Sequence, residues 1–178
     1  MEIDVAGIVR NQAGEVPWSE QGLIRNRRLM AAISRGVEMQ EILQVRCPGT
    51  GCLDDALRAV HLRDLAEFRE QPKYRVICFT FAEDARLDKK LIPCLQYCRL
   101  LLQPGGLIAL LLPGPPGENW YHHLFAFMSF GRGVSRRCPH WSLLAGAGFV
   151  DIRKQVRPGC GRVVTGRRPF AFQRCTRR

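Results

Sequence analysis

Cysteine, histidine and arginine have the most chemistry to offer in this chain, and their spacing sorts them quickly. There are eight cysteines and four histidines. Cys47 and Cys52, like Cys94 and Cys98, miss the Cys-x-x-Cys spacing of zinc and redox motifs, and the others are scattered. His122 and His123 are neighbours, while His61 and His140 stand alone. This pattern supplies no tetrahedral metal site, and an intracellular compartment predicts free, mostly buried thiols. The arginines are more informative. Of 27 Lys+Arg, 12 fall in residues 132–178 beside a single acid, Asp151, whereas residues 1–131 carry 15 basic and 15 acidic side chains. The net charge of +11 therefore belongs to the last quarter of the chain. Arg167, Arg168, Arg174, Arg177 and Arg178 form its final cluster. Planar guanidinium forks suit phosphate, so this region is expected to hold a polyanion, RNA or an acidic protein surface.

The elements that position such groups follow from hydrophobic periodicity. With 178 residues, 46% hydrophobic and 24% charged, the chain has the composition of one folded domain. No apolar run reaches the roughly 20 residues of a membrane span. The acidic start "MEIDVAGIVRNQ" lacks the basic and apolar regions of a secretory signal, which predicts an intracellular, cytoplasmic protein. Residues 1–40 read as an arm followed by an amphipathic helix from Ser19 to Gly36, and residues 41–178 as the main domain. "EILQV" (41–45) predicts a short strand and "RCPGTGC" a turn. "LDDALRAVHLRDLAEF" (53–68) has helical spacing.

"YRVICFTF" (74–81) and "LIALLLP" (107–113) are apolar on both faces, as strands covered on both sides must be. Between them "LDKKLIPCLQYCRLLL" (87–102) predicts a helix with Asp88 as its cap and a delayed start at Pro93. Strand, helix and strand in that order make a right-handed βαβ unit. "NWYHHLFAFMSF" (119–130) and "HWSLLAGAGF" (140–149) predict helices, the second closed by Gly148. "VDIRKQV" (150–156) and "RPFAFQRC" (168–175) then predict an antiparallel hairpin.

"CLQYCRLLLQPGG", "FMSFGRGVSR" and "HWSLLAGAGF", in this order, resemble the class I S-adenosylmethionine-dependent methyltransferases. Within that class they are most similar to the small-molecule O-methyltransferases of the caffeate and acetylserotonin type. The resemblance covers about residues 75–156 and, more weakly, 41–52. It implies an α/β, Rossmann-like methyltransferase fold: a mostly parallel sheet with a C-terminal antiparallel hairpin, short of some N-terminal strands. It also implies a cofactor, S-adenosylmethionine, bound where a glycine turn lets backbone approach the ligand. In "LQVRCPGTG" (43–51) the implied cofactor residues are Gly49, Thr50 and Gly51. Gln44 stands at the family's acidic position, and Arg46 and Pro48 depart from its glycines. An alternative placement makes "EILQV" the third strand and Asp54 or Asp55 the cofactor-side carboxylate. Counting back from Cys98, the family's catalytic histidine falls on Asp84, the implied base.

Two functions follow. One is an enzyme moving a methyl group from S-adenosylmethionine to a small-molecule hydroxyl. The other is a catalytically inactive binding module whose arginine-rich end contacts RNA, a ribonucleoprotein or a larger complex.

Overall fold

The computed structural model describes residues 20–47, 50, 52–65, 67–68, 72–81, 89–112, 139–157 and 161–170. In chain order they form α1 (Glu20–Ile33), β1 (Ile42–Arg46), β2 (Arg58–His61), β3 (Tyr74–Thr80), α2 (Ile92–Leu101), β4 (Leu102–Leu112), α3 (Pro139–Gly146), β5 (Val150–Arg157) and β6 (Gly161–Arg167). The strands make one six-stranded sheet in the order β2-β1-β3-β4-β6-β5. The first four are parallel, and β6 is antiparallel to both β4 and β5. This is a Rossmann-like methyltransferase fold.

Alternation along the strands explains why the sheet is covered twice. Ile77, Phe79, Ile108 and Leu110 face one side, where Cys94, Leu95, Cys98 and Leu101 of α2, Leu143 and Leu144 of α3 and Ala147 just after it pack on them. Val76, Cys78, Ala109 and Leu111 face the other side with Leu29 and Met30 of α1. Two buried faces require apolar side chains at both parities, which is why β3 and β4 read as continuous greasy runs.

The βαβ unit forms as its sequence predicts. Pro93 lies in the first turn of α2, where its missing N–H costs nothing, and a 3₁₀ turn at Lys89–Leu91 precedes it. Gly148, with φ +83°, closes α3. The Phe149 N–H donates to the Leu144 carbonyl and the Gly148 N–H to that of Ala145, both at 3.0 Å, a Schellman closure. Arg99 of α2 donates from Nη1 to the Gly148 carbonyl at 3.3 Å, tying the two helices together.

Two expectations are corrected. Residues 53–68 are not a helix: they hold a turn, the strand β2 and a 3₁₀ turn at Leu62–Asp64. Tertiary pairing overrides the helical spacing, because β2 adds to the edge of β1 in parallel register and buries Val60 against the core. The strand that pairs with β5 is β6, 161–167, and residues 168–170 of the expected strand 168–175 are not strand; Val163, Val164 and Thr165 are buried in β6, and Gly166 accommodates Phe149. Residues 113–118, the helix expected at 119–130 and residues 171–175 lie outside the described residues, as do Asp88 and residues 1–19.

Candidate functional site

Ligands of open α/β sheets bind beyond the carboxyl ends of the strands, where the strand order reverses. Here the chain runs from β1 outward to β2, then crosses back to β3 on the other side of β1, so the reversal lies between β1 and β3. At that end Arg46 is in register with His61 of β2 on one side and Thr80 of β3 on the other.

A chain of hydrogen bonds fixes the turn that follows β1. The Leu53 N–H donates to Gln44 Oε1 at 3.0 Å, and Gln44 Nε2 donates to Thr80 Oγ1 at 3.2 Å. The hydroxyls of Thr80 and Thr50 are 3.2 Å apart, and Thr50 Oγ1 donates to the Cys47 carbonyl at 2.7 Å. Gln44 and Thr80 are fully buried, so each bond also meets a polar group that would be costly to leave unpaired. The Gln44 amide is thus a girder between the turn and β3.

Arg46 differs. Its Nε is shielded from solvent and has no hydrogen-bond partner among the described residues. A buried, unmet donor at the ligand-binding end of a sheet fits an anionic group, and the α-carboxylate of an amino-acid-bearing cofactor is such a group. The residues present therefore fit S-adenosylmethionine. Arg46 would take the carboxylate, and the Thr50 turn would support the backbone beside it.

The other expected site residues fall as follows. Asp55 is exposed in the turn before β2, next to Asp54, whose carboxylate accepts the Ala56 N–H at 3.0 Å. β1 lies inside the sheet with β2 and β3 on either side, the place of the first strand of a doubly wound sheet and not the third. Gly49, Gly51 and Asp84 lie outside the described residues, as do Arg174, Arg177 and Arg178. Arg167 donates to the Gly105 carbonyl at 3.1 Å, while Arg168 donates to the carbonyls of Leu100 and Leu102 at the end of α2. Cys47, beside the site, is buried, and burial pushes its thiol well above the usual range, so it is no nucleophile. Among the described residues no group of three or more His, Cys, Asp or Glu is arranged to hold a metal ion.

His61 was not expected here. It ends β2, where dinucleotide-binding sheets place the acid that holds a ribose. Reading 53–68 as a helix hid it, although "RAVH" carries the β-branched Val60.

No protein-family model matches the chain, and no curated protein matches it by sequence. Solved structures do match its fold. The S-adenosylmethionine-dependent methyltransferase SibL, in its apo form, aligns with a TM-score of 0.51 at 15% identity, over 81% of this chain and 55% of its own. A protein from Nostoc punctiforme PCC 73102 assigned to the O-methyltransferases aligns with a TM-score of 0.53 at 10% identity, over 82% of this chain and 56% of its own. The chain thus spans just over half the length of either structure. At such identities the likeness is one of fold.

Proposed function

We propose that this chain binds S-adenosylmethionine, or its product S-adenosylhomocysteine, at the carboxyl edge between β1 and β3, as a compact methyltransferase-like protein. The observation that carries this reading is the unmet Arg46 Nε at the point where the strand order reverses. When bound, S-adenosylmethionine supplies an electrophilic methyl group on a sulfonium sulfur. Arg46 would pair with the ligand carboxylate, and Gly49, Thr50 and Gly51 would let the backbone approach it. Asp84, in the segment after β3, is the residue we assign to take the proton from a small-molecule hydroxyl. A carboxylate near pKa 4 is a weak base at pH 7, so that role requires burial to raise it.

Calorimetric titration with S-adenosylhomocysteine and with 5′-methylthioadenosine, which lacks the amino-acid end, tests the assignment. The unaltered chain should prefer S-adenosylhomocysteine. Arg46→Gln should weaken S-adenosylhomocysteine about tenfold or more, the scale of a charged hydrogen bond, and leave methylthioadenosine unchanged. No heat with either ligand would end the cofactor reading.

The inactive-module reading rests on Gln44. Its amide is spent on Leu53 and Thr80, so the side chain at the family's acidic position is structural. Cofactor binding without methyl transfer to hydroxyl acceptors, in the unaltered chain and in Asp84→Asn alike, would select that reading.

A further inference from the structure

The opposite, amino-terminal edge of the sheet holds a concavity of about 310 Å³. That is close to the lower limit of roughly 300 Å³ for small-ligand pockets, room for one compact unit. Arg35 follows α1, Arg75 begins β3 and Arg167 ends β6, and all three line this cavity with Gln103, Gly105 and Phe170. Three arginines from separate parts of the chain therefore line one small space.

The nearby acids do not cancel them. Glu41 reaches Arg75 Nη1 at 3.5 Å and Asp151 reaches Arg167 Nε at 3.6 Å, yet neither acid lines the cavity. Both pairs are solvent-exposed, so they are weak and screened by salt. Each also leaves several of the five N–H donors of its guanidinium for a ligand.

Phe170 sets the chemistry of that ligand. Its ring is 65% exposed, although an aromatic ring gains by burial. It is nonetheless held in place. Gly105 has φ +76°, and an added Cβ there would run into the Phe170 ring. The Gly105 N–H donates to the Arg168 carbonyl at 3.0 Å, and the Arg168 N–H to that of Gly106 at 2.8 Å. Arg168 also grips the end of α2 through its guanidinium. A fixed, half-open aromatic face beside three arginines suits a base that stacks and a phosphate that pairs, the combination used for single strands. An acidic peptide would use the arginines and gain nothing from the ring.

We infer that this pocket binds single-stranded nucleic acid, seating one nucleotide with its phosphate on Arg35, Arg75 and Arg167 and its base against Phe170. The site is separate from the cofactor edge, and the inference does not rest on the cofactor reading.

Fluorescence anisotropy of the full chain with labelled twelve-nucleotide oligouridine and oligothymidine tests this, with RNA and DNA as separate arms. Binding of either should weaken with salt. Arg35→Gln should lower the slope of log affinity against log salt by about 0.7, the value per single-strand phosphate contact. Phe170→Ala should weaken binding about fivefold or more while leaving the melting temperature within a few degrees. Because Phe170 is exposed, that variant keeps its fold; Phe170→Tyr should retain affinity through the same stacking. Three results would overturn the inference: no binding of either oligomer, binding that both Arg35→Gln and Phe170→Ala leave unchanged, or displacement by polyglutamate as effective as displacement by unlabelled oligomer.

Discussion

Four buried cysteines set how single residues respond to pH. Burial pushes the Cys78 thiol up to about 12 and that of Cys94 to about 11, and it moves Cys47 and Cys98 well upward too. In the unfolded chain a thiol ionises near 8.5. Between that value and the raised folded one, the unfolded state has lost protons that the folded state keeps, so stability falls as pH rises. Each thiol contributes a slope of up to about 1.4 kcal/mol per pH unit. Urea melts at pH 7, 9 and 10 should therefore show full stability at pH 7 and a steep loss above pH 9. Cys98→Ala should make that loss shallower. The five described cysteines are free. The ligand side chains were less legible. Arg46 reads as a departure from glycine, and only its position between β2 and β3 shows the unmet donor. His61 could not be placed before β2 was known.

Among the elements, α1 carries a polar group on its buried face. Asn26 is fully buried, and neither Oδ1 nor Nδ2 has a hydrogen-bond partner among the described residues. An unpaired buried amide costs about 1–3 kcal/mol. Asn26→Leu replaces it with an apolar side chain on the face that already carries Leu29 and Met30. The variant should raise stability by about 1–2 kcal/mol, seen as a higher urea midpoint with an unchanged slope; a lower midpoint would show that the amide is satisfied. The βαβ unit was legible because β3 and β4 are each apolar at both parities and α2 is bracketed by Pro93 and the Pro-Gly-Gly stretch. β2 was not, because four residues carry too little periodicity to outweigh their neighbours. β6 was misplaced because Gly161 and Gly166 suggest a turn, whereas Gly166 packs against Phe149.

Across the whole molecule, charge and topology separate two kinds of chemistry. The proposed cofactor edge lies at the carboxyl ends of β1 and β3, and the basic cavity sits at the amino ends of β3 and β4. The sequence placed its basic residues together, but the structure divides them. Arg167 lines the cavity, Arg168 braces α2, and Arg75 joins from a stretch whose net charge is zero. Charge counting could not reveal that convergence, since Arg35 and Arg75 are remote in the chain from the arginine-rich end. No helix among the described residues is long and apolar enough to cross a membrane.

β3 runs from one site to the other, paired on both sides from Val76 to Thr80. A strand so held is a spacer and not a lever. Two ligands at its ends should then have a coupling free energy near zero, each blind to the presence of the other. At a hundred times its dissociation constant, either ligand alone should stabilise the chain by about 2.7 kcal/mol, and the two together by about twice that. Denaturation measured with S-adenosylhomocysteine, with oligouridine and with both checks this. A combined effect clearly larger or smaller than the sum would mean that the sheet has a second conformation through which the two edges communicate.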